Sequence, residues 1–504
     1  MIDWRSCWIS PTAPAKSKKH GAKGYHDDEE DYIVEGLKPL DAILFPILAG
    51  VVLIGLYKLI NWLEDPDIIN KILGAYFSVM SLASLGKLLA DTLHMATGFI
   101  FPNVWRAKDG TLYYIDAEKK GQFRSAPGSE ERVLDETQNT PFAGHRPRVN
   151  DLYWERCKLF TEHWTIRFSI HGLFNENLRI KLNDMFGVVV AFGATIIYYT
   201  TDSVLLSNAV GYAFSYVGII MMSPITFTTG SAVLFGLFFY DIYMVFYTPY
   251  MVTVATKLDV PIKLVFQGPK NASMLGLGDI VIPGIFIGLS LRFDHYLSYH
   301  RQRKLVPVEL ETETKASGEL AVSTETQRMV VKPEYINPQG QWGRSMLTSI
   351  LSPGATPSLK ASAFLKTYFY AAVVGYLLAM VFTLAMLLIF NHAQPALLYL
   401  VPGVVFSVWL TGLVRGEVHE MWVYTEDGSL DGSDMIVEVD EDGNVTEEIK
   451  KDEHKTDGES KDDAKAIEGT KTGEVSETKA KEAVDRLQAS EAPDAGKPPN
   501  PNRA

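Results

Sequence analysis

The chain has 504 residues, of which 47% are hydrophobic, and its formal net charge is -13. Its apolar residues form long blocks between strongly charged stretches, which excludes an ordinary soluble globular chain and is typical of a polytopic membrane protein with soluble appendages. Nothing in the charge pattern indicates a nucleic-acid partner. The two cysteines, Cys7 and Cys157, lie outside the apolar blocks, form no disulfide framework and have no metal-type spacing.

The N-terminal segment, 1–40, is polar, so it does not read as a cleavable signal peptide and the first apolar block is expected to act as an internal insertion signal. A helix needs about 20 mainly apolar residues to cross a bilayer. By that criterion we predict about eight spans, over 42–62, 71–93, 182–200, 203–222, 225–248, 272–292, 368–390 and 395–415.

After residue 40, the predicted spans and the segments between them form six regions. Transmembrane regions are predicted over 41–100, 182–292 and 368–416, loops over 101–181 and 293–367, and an acidic, disordered tail over 417–504. Basic residues at the ends of spans favour a cytosolic location for both loops, and the span count then places the tail in the cytosol as well. Loop 101–181 interleaves aromatic with basic residues, which fits either a segment along the membrane surface or a small folded insertion.

Two aspartates lie inside predicted spans, where an ionisable side chain is costly and suggests a function. Asp241 follows Tyr240 about seven residues before the end of one span. Asp279 follows Gly276, Leu277 and Gly278 about seven residues after the start of the next. Since consecutive spans are antiparallel, both carboxyl groups are expected at one depth, roughly 10 Å below the lumenal surface.

Two carboxyl groups that face each other can share one proton, as an aspartic protease requires. The ionised group takes a proton from water, and the protonated group donates to the scissile carbonyl oxygen. Gly276 and Gly278 offer space for an extended substrate backbone. Pro395, Ala396 and Leu397 open the last span, where a proline suits a first helical position.

Other interpretations of the same residues remain open at this stage. A single buried aspartate is often a hydrogen-bonding partner between helices or part of an ion pathway, and a Gly-x-Gly is usually a site of close helix packing. The two main alternatives are therefore a proton-coupled transporter that uses the same carboxyl groups, and an inactive scaffold that binds membrane helices. Asp91, with Lys87 and His94 at helical spacing, is interpreted as an interface cluster.

Taken together, the motifs Tyr240-Asp241, Gly276-Leu277-Gly278-Asp279 and Pro395-Ala396-Leu397 resemble those of the presenilin and signal peptide peptidase superfamily of intramembrane aspartyl proteases. Longer strings are more similar to signal peptide peptidases: PIKLVF at 261–266, MLGLGDIVIPGIFIG at 274–288 and QPALLYLVPG at 394–403. The resemblance covers about residues 40–417, with gaps in the two long loops, and the ordered set of motifs is highly specific.

The resemblance implies an all-α, presenilin-like bundle of eight to nine transmembrane helices and an aspartic endopeptidase with Asp241 and Asp279 as catalytic residues. It implies that Tyr240, Gly276 to Gly278 and Pro395 to Leu397 shape the active site, with no metal or organic cofactor. Substrates would be signal-peptide remnants and other type II-oriented spans in the endoplasmic reticulum membrane. Homo-oligomers and the degradation machinery are implied as partners. The family has nine spans, and its first is expected to be missing here.

Overall fold

A computed structural model describes most of the chain. The residues that it describes are 35–62, 67–107, 111–116, 121–125, 132–134, 147–170, 174–201, 203–257, 263–267, 272–316, 319–333, 335, 341–342, 363–390, 394–426, 436–439 and 445–449. Most of the predicted polar segment 1–40, part of the predicted loop 293–367 and residues 450–504 of the predicted tail therefore lie outside the described residues.

The described part of the chain is mostly helical. Its helices are α1 (Asp41–Trp62), α2 (Asp67–Ile100), α3 (Pro147–Thr161), α4 (Leu182–Thr201), α5 (Val204–Met221), α6 (Phe227–Phe246), α7 (Tyr250–Lys257), α8 (Gly278–His300), α9 (Thr367–Phe390), α10 (Leu397–Arg415) and α11 (Val418–Val423). Seven of these are long and apolar enough to cross a membrane: α1, α2, α5, α6, α8, α9 and α10. The apolar stretch of α4, Leu182–Tyr198, is slightly shorter. The predicted class, a helical multi-pass membrane protein, is thus confirmed.

Helix α2 is longer than the predicted span 71–93, and three polar residues in its second half have partners. Lys87 and Asp91 form an ion pair with an N to O distance of 3.4 Å, and Asp91 also accepts a hydrogen bond of 2.9 Å from the hydroxyl of Tyr216 on α5. His94 Nε2 lies 2.9 Å from Asp184 Oδ1 on α4. A polar side chain at a helix interface is tolerated in a bilayer when a neighbouring helix satisfies it.

Small residues bring α2 and α4 into close contact. A β-carbon built on Gly187 of α4 would lie 2.8 Å from the backbone nitrogen of Ala90 and 2.9 Å from the carbonyl oxygen of Gly86. The backbones of the two helices therefore touch at this crossing, and only glycine fits at Gly187. This is the packing that membrane helices use in place of a hydrophobic driving force.

The strands lie outside the membrane-spanning helices. They are β1 (Glu35–Leu37), β2 (Val104–Arg106), β3 (Leu112–Asp116), β4 (Gly121–Ser125), β5 (Arg132–Leu134), β6 (His163–Ile170), β7 (Phe174–Lys181), β8 (Met222–Pro224), β9 (Lys263–Gln267), β10 (Ala272–Gly276), β11 (Lys304–Ala316), β12 (Glu319–Val331), β13 (Gln341–Trp342), β14 (Ile436–Val439) and β15 (Val445–Ile449). The strands β11, β12, β14 and β15 form an antiparallel sheet in a second compact unit of the chain.

The loop 101–181 contains a folded insertion. Strands β2 to β5 form an antiparallel sheet, which β13 extends at its β2 edge, and β6 and β7 form a separate hairpin. The predicted aromatic residues contact one another here: the rings of Trp105 and Tyr113 stack with centroids 4.6 Å apart, and Phe101 lies against Phe160 and Tyr153. The described part of this loop thus contains a folded sheet and a hairpin.

Cys157 lies on α3 inside this insertion, and only 2% of its surface is exposed. Burial raises the pKa of its thiol to about 11 from a usual value near 9, so little thiolate is present at neutral pH. In a Cys7→Ser background, we expect iodoacetamide to modify the native protein at least about 100-fold more slowly than the unfolded protein at pH 8. Because the folded-state pKa is raised, the contribution of this thiol to stability should be complete below pH 9 and be lost as the pH rises through 11.

The chain after α10 does not become disordered at residue 417 as predicted. Helix α11 follows, and Met421 on this helix and Tyr424 directly after it are 1% and 2% exposed. The ring of Tyr424 contacts the rings of Phe227 and Phe293, so this segment completes the main hydrophobic core, which joins α6, α8, α9 and α10. Residues 418–426 therefore belong to the helical bundle.

Candidate active site

The two predicted catalytic aspartates lie on helices that pack side by side. Phe227 at the start of α6 contacts Phe293 near the end of α8, with ring centroids 5.1 Å apart, and a β-carbon built on Gly230 would lie 3.1 Å from Phe286, so the two helices are antiparallel. Asp241 lies fourteen residues after Phe227, and Asp279 lies fourteen residues before Phe293. Each separation corresponds to about 21 Å of helix, so Asp241 and Asp279 lie at the same level of the bundle. The carboxyl groups are accordingly close enough to interact electrostatically.

The Asp241 carboxyl group is held by the start of α10. Only 5% of Asp241 is exposed, and its Oδ2 accepts a hydrogen bond of 3.3 Å from the backbone N–H of Leu397, the first residue of α10. The preceding residue, Ala396, provides no side-chain cap. The first N–H groups of a helix lack intrahelical acceptors and carry a partial positive charge. The aspartate of α6 therefore takes the place of the missing cap on α10.

Asp279 is the second residue of α8 rather than a residue seven positions into a span. Residues 272–276, which the sequence assigns to the helix, form the extended strand β10 and pair with β9 in an antiparallel hairpin. Asp279 is one residue from the start of α8, whereas Asp241 is five residues from the end of α6. Since the two aspartates lie at one level, α8 starts about one turn deeper in the membrane than α6 ends. The backbone immediately before Asp279 is thus extended at the depth of the carboxyl pair.

Asn208 of α5 holds this hairpin in place. Its Nδ2 donates to the carbonyl oxygen of Val265 on β9 at 2.8 Å, and its Oδ1 accepts from the N–H of Val265 at 2.9 Å. One side chain thus satisfies both backbone groups of a strand residue, as a neighbouring strand would. Leu264 and Leu277 lie against Gly211 on the same helix. The approach to Asp279 is therefore anchored to α5 by polar and apolar contacts.

The other predicted site residues have different surroundings in the structure. Pro395 precedes α10 by two residues instead of occupying its first position. Tyr240 lies beside Gly50 of α1, since a β-carbon built on Gly50 would be 3.7 Å from its ring. Tyr240 of α6 therefore packs against α1. The structure brings Gly276 to the Asp279 carboxyl group and Leu397 to the Asp241 carboxyl group.

The two glycines of the Gly-Leu-Gly-Asp motif have different surroundings. A β-carbon on Gly276 would lie 3.3 Å from Asp279 Oδ2, whereas one on Gly278 would have Ile282 as its nearest neighbour at 3.8 Å. Both glycines are exposed. Gly276 therefore keeps space beside the carboxyl group itself, and Gly278 leaves an open backbone surface.

We expect Gly276→Ala to lower kcat roughly tenfold, because a displacement of a few tenths of an ångström moves the Asp279 carboxyl group away from its productive position. Gly193→Ala on α4 is the matched control, since its β-carbon would meet no atom within 4 Å. The measurement is the cleavage rate of a fluorescent transmembrane peptide at saturating concentration. Equal rates for Gly276→Ala and Gly193→Ala would show that the close contact does not matter.

Residues that the sequence did not single out also support the site. Asp294, 4% exposed on α8, accepts hydrogen bonds from the N–H groups of Tyr368 (3.2 Å) and Phe369 (2.9 Å) at the start of α9. Arg292, on the same helix as Asp279, pairs instead with Glu426 at 2.7 Å. No short sequence motif predicts these contacts, because each joins residues more than 70 positions apart.

The chain is similar to known proteins over most of its length. A model of the protein family described as signal peptide peptidase matches residues 28–428. Intramembrane protease 2 of Caenorhabditis elegans is 36% identical over 245 residues, which cover 47% of this chain and 41% of that protein.

Mammalian relatives match a longer part of the chain. Signal peptide peptidase of Homo sapiens is 27% identical over 79% of this chain and 76% of its own length. The protein of the same name from Mus musculus is 28% identical over the same shares. No solved structure gives a significant match.

Proposed function

The chain belongs to the signal peptide peptidase family of intramembrane aspartyl proteases, and we propose that Asp241 and Asp279 are its catalytic pair. The observation that supports the proposal is the position of the two aspartates at one level on two antiparallel membrane helices. Two carboxyl groups that interact inside a low-dielectric region can hold one proton between them. Arg292 does not neutralise either of them because it is paired with Glu426.

The pair acts through an activated water molecule. The ionised carboxylate removes a proton from water while the protonated group donates to the scissile carbonyl oxygen, and the tetrahedral intermediate collapses as a proton passes to the leaving amine. The N–H of Leu397 orients Asp241 throughout. The extended segment before Asp279 gives an unwound substrate backbone access to the pair, which matters because a helical peptide bond is shielded by its own turn.

The substrates that fit this site are transmembrane peptides, and we infer that they include signal-peptide remnants in type II orientation, as the name of the mammalian relatives suggests. Such remnants arise in the endoplasmic reticulum membrane, where we place the protein. The basic residues of the two long loops favour the cytosol for these loops and for the C-terminal tail. Homo-oligomers and the degradation machinery remain the expected partners.

Proteoliposomes test this proposal against proton transport and passive helix binding. Purified protein is reconstituted with a labelled type II-oriented span, and peptide cleavage and proton flux are measured in the same vesicles. A protease yields shorter peptides with no protein-dependent flux. Flux without cleavage would establish the transporter, and retention of the uncut span would establish the scaffold.

A further inference from the structure

The first turn of α8 lacks one of its regular hydrogen bonds. In an α-helix each carbonyl oxygen accepts from the N–H four residues later. For Asp279 that residue is Pro283, which lies inside α8 and has no N–H. In a bilayer a backbone carbonyl without this donor needs another partner, because water is scarce and an unsatisfied group is costly.

A neighbouring helix supplies a donor at this position. The hydroxyl of Tyr376 on α9 points at the carbonyl oxygen of Asp279, with an O to O distance of 3.4 Å. The same hydroxyl is close enough to the Asp279 carboxyl group for the two to interact electrostatically. The ring of Tyr376 is half-buried against the main hydrophobic core.

Helix α9 is fixed in the orientation that aims Tyr376 at α8. The preceding residue, Gly375, is in direct backbone contact with α10: its β-carbon would lie 2.5 Å from both the carbonyl oxygen of Gly403 and the hydroxyl of Ser407. A β-carbon on Gly403 would in turn lie 2.6 Å from Ala379. A glycine contact of this kind on both helices leaves α9 little freedom to rotate.

We propose that Tyr376 is a positioning residue for Asp279, whose hydroxyl replaces the backbone donor that Pro283 lacks and thereby fixes the first turn of α8. The inference rests on the proposed function, since it concerns the same carboxyl pair. Tyr376 does not touch substrate or take part in proton transfer in this scheme. Its contribution is to hold the backbone of Asp279, and through it the carboxyl group, opposite Asp241.

The first test is Tyr376→Phe, which removes only the hydroxyl group. We expect kcat to fall roughly tenfold with KM unchanged, because an unsatisfied carbonyl loosens the turn that carries Asp279. Tyr370→Phe is the matched control: Tyr370 lies on the same helix with 61% of its surface exposed, and its loss of a hydroxyl should leave both constants as in the wild type.

The second test restores the missing donor. Pro283→Ala provides an N–H at position 283, which can donate to the carbonyl of Asp279 as in a regular helix. In that background Tyr376→Phe should lower kcat less than twofold, compared with roughly tenfold when Pro283 is present. A tyrosine that matters only for general packing would cost the same in both backgrounds.

Asp279→Asn, assayed in parallel, distinguishes a failure of the proposed catalytic pair from a failure of the positioning role of Tyr376. If Asp279→Asn still cleaves, the proposed catalytic pair is wrong. If Asp279→Asn is inactive but Tyr376→Phe has the kcat of the wild type, or loses equally in the Pro283→Ala background, the positioning role is overturned while the catalytic pair stands. The melting temperature of each variant in detergent establishes that it is folded.

Discussion

Replacing either Asp241 or Asp279 by asparagine is expected to reduce cleavage of a transmembrane peptide by at least about a thousandfold. Asparagine keeps the size of the side chain but can neither accept a proton from water nor supply one to the scissile carbonyl. Because the two carboxyl groups work as one unit, the double variant should be no less active than either single variant. The measurement is the initial rate with purified protein at equal concentration.

The control for this prediction is another aspartate in a membrane helix. Asp91 is 8% exposed and accepts a hydrogen bond from Tyr216, a contact that an asparagine can preserve. Asp91→Asn should therefore cleave at the rate of the wild type. A loss of activity in Asp91→Asn equal to that in Asp241→Asn would mean that any buried aspartate is needed for folding, and the assignment would lose its support.

A second large effect is expected where the chain after α10 docks onto the bundle. Arg292 and Glu426 form an ion pair of 2.7 Å, with side chains only 18% and 14% exposed, and both contact the hydroxyl of Ser223. Arg292→Ala leaves a largely buried carboxylate without its cation. We expect it to destabilise the folded protein by roughly 3–5 kcal/mol, measured as thermal or denaturant unfolding in detergent.

Two further variants show whether burial of the charge is the cause. The double variant Arg292→Ala/Glu426→Ala should be more stable than Arg292→Ala alone, because no buried charge is left unpaired. Arg415→Ala, which breaks the more exposed pair with Glu417, should cost less than about 1 kcal/mol. Equal unfolding of Arg292→Ala and the wild type would refute the docking of this segment.

The membrane-spanning helices could be predicted because their signal is local. Each of the eight predicted segments contains a helix, seven of these helices are long and apolar enough to cross a membrane, and α1 begins and ends within one residue of its prediction. The full length of α2 could not be predicted in this way, since its polar residues depend on partners on α4 and α5 that a single sequence does not show. A single sequence also does not show the contacts within loop 101–181, so it left a folded insertion and a segment along the membrane surface as open interpretations.

The start of α8 could not be predicted from apolar content. Residues 272–276 are as apolar as a span, but they pair with β9, and Asn208 of α5 anchors that strand. A tertiary contact therefore decides between strand and helix. Pro283 was visible in the sequence four residues after Asp279, yet its consequence for the Asp279 carbonyl needed the position of Tyr376.

The charged composition of the segment predicts a tail that begins too early in the chain. Residues 417–504 are rich in charge as a whole, but Met421 and Tyr424 near their beginning are almost fully buried. Glu426, which reads as one more acidic residue of a tail, is the partner of Arg292. A few apolar residues directly after a span are enough to extend a packed core.

The most direct test of an aspartyl protease mechanism is mass spectrometry of the products formed by purified protein in liposomes made in oxygen-18 water. With a labelled transmembrane peptide we expect two fragments whose new ends lie inside the apolar stretch, and one heavy oxygen atom in the new carboxyl group. The Asp279→Asn variant should yield neither fragment. An intact peptide after incubation with the wild type, or the same fragments from Asp279→Asn, would contradict the assignment of Asp241 and Asp279 as the catalytic pair.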